Sequence, residues 1–146
     1  MDISIQNRQR AKRLNLRSIR RDLQRALGLL GRADAGVSVV FVGERAMARL
    51  NRDYRGIPSP TDVLSFPLGG EWPLAGQPLL GDIVVCVPKA ASQAREAGRT
   101  FPSEVRHLLV HGLLHLIGYD HETCPAASRR MRAREREILR GLASVA

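Results

Sequence analysis

The chain has 146 residues, of which 44% are hydrophobic, which is the size and apolar content of a single ordinary domain with its own core. Two cysteines outside any C-x-x-C pair, and no apolar run near the roughly 20 residues of a membrane span, exclude a disulfide scaffold and a transmembrane protein. The formal net charge of +9 predicts a surface that attracts polyanions. We therefore expect one cytoplasmic domain over residues 1–146, without a signal peptide or membrane contact.

The first third of the chain alternates between strand and helix patterns. Weak alternation predicts a strand over residues 3–9, and Asn15 is a plausible cap for a helix that Gly31 ends. Residues 37–42 are β-branched and bounded by glycines, which is typical of a buried strand, and residues 44–53 form a short helix.

The middle of the chain continues with a third strand at residues 61–66 and a fourth at 82–87. The Gly/Pro-rich stretch 67–81 between them is predicted to be a long surface loop or hairpin. Pro88 suits the first turn of a helix, and Gly98 is expected to end it.

Two helices complete the chain. One begins at Thr100 and stops at Gly118, and it is apolar almost all round, so it should be central. The last, over residues 126–142, has an apolar side and a side rich in Arg and Glu. The predicted fold class is α+β: a small mixed four-stranded sheet covered by about five helices, whose central apolar helix carries the candidate metal ligands.

The positive charge comes almost entirely from arginine, with only Lys12 and Lys89 as lysines. Arginine presents a planar fork that binds phosphate in a bidentate manner, and basic domains often bind nucleic acid. A GC-rich genome or a merely solvated basic surface would produce the same composition. Charge alone leaves these alternatives open.

All four histidines fall within fifteen residues of one another, and three follow the pattern His111-x3-His115-x2-Gly118-x2-His121. The i, i+4 spacing places His111 and His115 on one helical face. A left-handed Gly118 would end the helix and reverse the chain, so that His121 could be the third ligand. Three imidazoles leave one position of a tetrahedral ion open, as in catalytic zinc sites. The pattern predicts one zinc ion per chain, although nickel, copper or iron would also suit these ligands.

Other residues near this motif have competing interpretations. A role beside the metal ligands or in solvent is favoured for His107 over a role as fourth ligand, and Cys124 is favoured as a plain loop cysteine. Asp82 and Asp120 are candidates for orienting ligands or moving protons, and the alternative for Asp120 is to hold the turn. Glu135 is expected to pair with a neighbouring arginine.

The same spacing coincides with the zinc-peptidase pattern H-E-x-x-H-x-x-G-x-x-H except at one position, where Gly112 replaces the catalytic Glu. Without that carboxylate the peptide-cleaving mechanism lacks its general base. A metallopeptidase-like hydrolase is therefore an alternative rather than the first hypothesis.

With these residues identified, the chain resembles the YbeY family of bacterial endoribonucleases for ribosomal RNA maturation. The resemblance covers about residues 36–142 and rests on three segments: 111–121 (HGLLHLIGYDH), 51–67 (NRDYRG, then PTDVLSFP) and 80–83 (LGDI). The chain departs from the family at residues 123–130 (TCPAASRR), where the family usually continues in acidic residues, so a role for an acidic patch is not carried over.

The resemblance implies a metal-dependent, single-strand-specific endoribonuclease that acts in 16S rRNA 3′-end processing and ribosome quality control. Arg55 matches an arginine important for function in the family, and a guanidinium beside a metal ion would stabilise the charge of a phosphodiester transition state. The candidate catalytic residues are thus Arg55, His111, His115 and His121. Tyr54 and Trp72 are the aromatic residues placed to stack on bases.

A third class of function stays open beside nuclease and peptidase. A noncatalytic ribosome-assembly factor would need only the basic surface and a structural metal. The expected partners are single-stranded RNA, 16S rRNA and the ribosome, while neither the cleavage site nor the oligomeric state follows from the sequence.

Overall fold

A computed structural model describes residues 3–68, 79–119 and 124–143 of the chain. In chain order its elements are β1 (Ile3–Asn7), α1 (Leu16–Leu29), β2 (Gly36–Val42), α2 (Glu44–Arg55), β3 (Val63–Pro67), β4 (Leu79–Cys86), α3 (Val87–Ala97), α4 (Phe101–Leu116) and α5 (Pro125–Ala143). The described residues therefore contain four strands and five helices, which confirms the predicted α+β class.

The four strands form one mixed sheet in the order β1-β2-β4-β3. Strand β2 is parallel to both of its neighbours, whereas β3 runs antiparallel to β4. Parallel strands cannot be joined by a tight hairpin, so the chain crosses over through α1 between β1 and β2. The β-branched composition of β2 suits this central, doubly covered position.

The side chains of the two central strands alternate between two apolar layers. Phe41 and Ile83 point into the main core, which α1, α4 and α5 complete on one face of the sheet. Val84 and Cys86 point the other way and pack with Met47 of α2. Helix α2 therefore lies on the opposite face of the sheet from α4.

Helix α4 approaches the sheet closely because it has no side chain at Gly112. A Cβ atom at this position would lie 2.9 Å from Cγ2 of Ile83, and the Gly112 carbonyl accepts a hydrogen bond of 3.2 Å from Ser65 Oγ. The contact fixes the helix against β3 and β4, and with it the two histidines that flank this turn.

Several predicted boundaries are confirmed by their hydrogen bonds. Asn15 Oδ1 accepts from the Ser18 N–H at 3.1 Å, and Thr100 Oγ1 accepts from the Ser103 N–H at 3.2 Å, so both residues cap their helices. Gly98 ends α3 in the left-handed conformation, with φ of 68°.

Several boundaries differ from the prediction by a few residues. Of the two alternatives for segment 67–81, a loop or a hairpin, its described ends support the hairpin, because Pro67 pairs with Gly81 and extends the antiparallel ladder of β3 and β4. Residues 69–78 of this segment lie outside the described residues. The first strand ends at Asn7 rather than residue 9. Within the described ranges no helix is both long and apolar enough to cross a membrane.

Candidate metal centre

One side of α4 carries His107, His111 and His115, each about one turn from the next. All three rings are half-buried, at the edge where α4 meets α5. Most of the other residues of the helix are apolar and buried, and burying imidazoles there is unfavourable unless their nitrogens are satisfied. The partners of each ring nitrogen therefore determine whether these histidines can bind a metal ion.

The rings of His111 and His115 face each other through their Nε2 atoms, which lie 3.0 Å apart. The ring centroids are 4.6 Å apart and the planes make an angle of 78°. Zn–N distances of about 2.0–2.1 Å with tetrahedral geometry would place two ligand nitrogens about 3.3 Å apart. The observed separation is close to the one that two imidazoles have on a single ion.

The Nδ1 atoms of the two rings point to oxygen atoms. His111 Nδ1 lies 3.2 Å from Glu135 Oε2, and His115 Nδ1 lies 3.0 Å from the Tyr119 carbonyl oxygen. A carboxylate and a carbonyl only accept hydrogen bonds, so each neutral ring carries its proton on Nδ1. Both Nε2 atoms then present lone pairs to each other, an arrangement that a cation between them would stabilise.

Glu135 projects from α5 into this cluster and is only 7% exposed. Burial raises the pKa of its carboxyl group, but the hydrogen bond to His111 and the electrostatic interactions with the neighbouring histidines lower it, and the lowering prevails. Glu135 is therefore a carboxylate that accepts from His111. The expected ion pair with an arginine is wrong, because the residue lies on the buried side of α5 opposite α4.

His107 lies beside the candidate ligands, which is the position that the sequence favoured over a role as fourth ligand. Its Nε2 atom lies 3.6 Å from the same Glu135 oxygen, one turn before His111. The carboxylate thus bridges two histidines of α4 and leaves the Nε2 atom of His111 directed at His115. Glu135 is the residue that sequence reasoning missed as part of this site. Its i−4 and i+3 neighbours Met131 and Ile138 are buried with it, and this polar residue within an apolar stripe was the available signal.

The turn after α4 has the predicted geometry. Gly118 has φ of 105°, and the Tyr119 N–H donates to the Leu114 carbonyl at 3.0 Å. The reversal brings the Tyr119 carbonyl onto the His115 ring, so the same turn fixes the tautomer of a candidate ligand.

The third predicted ligand, His121, lies outside the described residues, as does Asp120. Among residues 3–68, 79–119 and 124–143, no group of three potential ligands converges on one point. Cys124 Sγ accepts from the Ala127 N–H at 3.4 Å and so caps the start of α5.

Arg55 stands apart from the histidines. It is exposed at the C-terminal end of α2, which Gly56 terminates with φ of 72°. In the part of the chain that the structure describes, no hydrogen bond or ion pair engages its guanidinium, and none joins it to the histidines. Its donors therefore remain available for an anionic ligand.

The other candidate residues, two aromatic residues and an aspartate, make no described contact with the histidines. Tyr54 is 67% exposed, and its ring packs edge-on against Phe66 with centroids 4.9 Å apart. Asp82 is exposed on β4, where it pairs with Phe66, and makes no described contact with the histidines. Trp72 lies outside the described residues.

The site residues also fit what a metal ion requires of its ligands and their supports. The Nε2 atoms of His111 and His115 face each other, and both rings are oriented by acceptors on the far side, as is usual for metal-binding histidines. The peptidase alternative loses further support, since a glutamate at position 112 would meet Ile83 of β4.

Comparison with known proteins gives consistent matches. The model of a protein family described as Endoribonuclease YbeY matches residues 4–143, which includes most of the N-terminal segment that the motifs left outside the resemblance. A relative of that name from Geobacter sulfurreducens is 43% identical over 140 residues, covering 94% of this chain and 93% of its own. Another from Moorella thermoacetica is 42% identical and covers 97% of each chain.

A similar fold occurs among solved structures. The solution structure of TM1509 from Thermotoga maritima superimposes with a TM-score of 0.67 and 30% sequence identity, over 96% of this chain and 88% of that one. The comparisons agree with the resemblance that the motifs indicated, in sequence and in fold.

Proposed function

The chain belongs to the Endoribonuclease YbeY family, and we propose that it is a metal-dependent endoribonuclease that cleaves single-stranded RNA. The proposed ligands of its single zinc ion are His111, His115 and His121. Arg55 is the proposed phosphate-binding residue.

The observation that carries this proposal is the 3.0 Å approach of the Nε2 atoms of His111 and His115, with both Nδ1 atoms engaged by acceptors. Two neutral imidazoles in this arrangement can both direct an Nε2 lone pair at one cation. When bound there, a divalent ion would act as a Lewis acid toward the phosphodiester and lower the pKa of a water molecule.

The protein groups around the histidines prepare the site before RNA arrives. Glu135 holds the Nδ1 proton of His111, and the Tyr119 carbonyl holds that of His115, so neither ring has to reorient during the reaction. The exposed guanidinium of Arg55 can bind a nonbridging phosphate oxygen, where negative charge accumulates in the transition state.

We further propose that the substrate is 16S rRNA on the ribosome, cleaved in the cytoplasm during 3′-end maturation and ribosome quality control. The family name supports an RNA substrate, and the net charge of +9 supports binding to a large polyanion. The two cysteines are both free, which suits a reducing compartment.

A noncatalytic assembly factor with a structural metal is the second candidate, favoured by the basic surface alone. A structural zinc site is normally closed by four protein ligands. The proposed ligand set of His111, His115 and His121 has three members, one fewer than a closed structural site, so it suits an open, catalytic site better.

The test is cleavage of end-labelled single-stranded and duplex RNA by the unmodified protein and by His115→Ala, each with and without a metal chelator. We expect only the unmodified, metal-loaded protein to cut, and to prefer single strands. Equal cleavage by both proteins would indicate a contaminating nuclease. RNA binding without cleavage by either protein would favour the assembly factor.

A further inference from the structure

Four arginines form a stripe along the solvent side of α5, which we call the α5 stripe. Its members follow one another at intervals of three or four residues, so they project from the same side of the helix. All four are exposed: Arg129, Arg132, Arg136 and Arg140. The opposite side of α5 is buried against the core by Met131, Glu135, Ile138 and Leu142.

In the part of the chain that the structure describes, the α5 stripe is not paired with acidic side chains. Within the described ranges none of its four guanidiniums makes a hydrogen bond or ion pair. The two acidic residues of α5 are engaged elsewhere, Glu135 by the histidines and Glu137 by Arg134. Arg134, by contrast, also donates to the Leu29 carbonyl of α1 and so has a structural role.

Like charges at i, i+4 destabilise a helix, so the stripe lowers the stability of α5 in isolation. The pairs Arg132/Arg136 and Arg136/Arg140 have this spacing. A ligand that carries a row of negative charges would remove the repulsion. At a rise of about 1.5 Å per residue, neighbouring members are about 4.5 to 6 Å apart along the axis and the stripe spans about 16 Å.

The α5 stripe borders the side of α5 that carries Glu135. Arg132 precedes Glu135 by three residues, so the two side chains are neighbours on the helix surface. The Glu135 carboxylate is 3.2 Å from His111 Nδ1. A strand held by Arg132 would therefore pass along the edge of α5 from which Glu135 reaches the histidines.

We propose that the α5 stripe binds the phosphate backbone of the RNA strand and leads it to the histidines of α4. The proposal rests on the proposed function for the identity of the strand. Regularly spaced guanidiniums match repeated phosphates, and an RNA strand provides such a row regardless of base sequence.

The test compares two variants with equal loss of charge. R132Q/R136Q removes the middle of the stripe, and R45Q/R49Q removes two exposed arginines of α2, which lies on the opposite face of the sheet and also has the i, i+4 spacing. Binding of a fluorescein-labelled single-stranded oligoribonucleotide is measured by anisotropy over a series of salt concentrations, and single-turnover cleavage of the same RNA is measured in parallel.

We expect R132Q/R136Q to weaken RNA binding by at least about tenfold and to reduce the slope of log affinity against log salt by about 1.4, or about 0.7 for each lost phosphate contact. R45Q/R49Q should change the affinity by less than about twofold, because nonspecific attraction by two of many arginines is small. Equal losses in the two variants would overturn the proposal, and so would retained affinity in R132Q/R136Q.

Three further outcomes separate this proposal from its alternatives. If the unmodified protein binds RNA through the α5 stripe but never cuts it, the nuclease proposal fails and the stripe proposal stands. If the unmodified protein cuts RNA and R132Q/R136Q cuts and binds it equally well, the nuclease proposal stands and the stripe proposal fails. If R132Q/R136Q binds phosphatidylglycerol vesicles more weakly than the unmodified protein but keeps its RNA affinity, the stripe binds anionic membranes. That result would overturn its role in RNA binding.

Discussion

The Nδ1 atom of His111 lies 3.2 Å from Oε2 of Glu135, across the contact between α4 and α5. This bond joins two residues separated by 24 positions in sequence and places a charged group within an apolar helix interface. Such a group is costly to bury without a partner. Through this hydrogen bond the orientation of His111 depends on α5.

Replacing Glu135 by glutamine should weaken zinc binding by about 10- to 100-fold, the usual effect of removing a group that orients a metal-binding histidine. Glutamine keeps the size of the side chain and can still accept a hydrogen bond, but it removes the negative charge that favours the Nδ1–H tautomer. Competition with a chromogenic chelator measures the affinity.

The control for Glu135→Gln is Glu137→Gln on the same helix. Glu137 is exposed and pairs with Arg134 at the surface, so its loss should leave zinc affinity unchanged. Equal affinities in the two variants would show that Glu135 does not support the metal site.

Gly112→Ala should lower the free energy of unfolding by about 1 to 3 kcal/mol, the typical cost of inserting a methyl group into a close contact. The added Cβ would lie 2.9 Å from Ile83 Cγ2, so α4 or β4 must shift. Urea denaturation measures the change. Gly28→Ala in α1 is the matched control, because nothing lies within 4 Å of a Cβ there, and it should be neutral or slightly stabilising. An unchanged midpoint for Gly112→Ala would contradict the close packing.

The sequence predicted the parts of this fold and site that depend on local patterns. Caps at Asn15 and Thr100, the left-handed Gly118 and the i, i+4 pair His111 and His115 are all encoded within a few residues. These local features are confirmed by the structure.

Features that depend on long-range pairing were not predictable in the same way. The proline and glycines of segment 67–81 left a loop and a hairpin open, and only the pairing of Pro67 with Gly81 decides between them. The Glu135 contact requires the packing of α5 on α4, which the periodicity of either helix alone does not specify. In both cases tertiary contacts outweigh the local preference.

Arg55→Ala should reduce the single-turnover rate of RNA cleavage by about 10²- to 10³-fold, the usual effect of removing one group that stabilises transition-state charge. Zinc affinity and stability should be unchanged, because the exposed guanidinium has no described protein partner. Arg52→Ala is the control, since Arg52 lies on the same helix and pairs with Asp53 at 3.2 Å. If both variants cut at the same rate, Arg55 has no special role in cleavage.

The two thiols should differ in reactivity toward Ellman's reagent at mildly alkaline pH. Cys124 is exposed and should react in the folded protein, whereas Cys86 is buried and its burial raises the pKa of the thiol, so the reactive thiolate is scarce. We expect one thiol per folded chain, two after unfolding in urea, and none in folded Cys124→Ser. Two reactive thiols in the folded protein would show that the Cys86 layer between β4 and α2 opens readily.

The central claim is that RNA cleavage depends on one metal ion held by the paired imidazoles of α4. Its most direct test is a titration of the chelator-treated, metal-free protein with zinc, with single-stranded RNA cleavage measured at each step. We predict that activity rises in proportion to added zinc and levels off at about one equivalent per chain, and that His111→Ala shows no such rise. Full activity of the metal-free protein, or an identical titration for His111→Ala, would contradict the account.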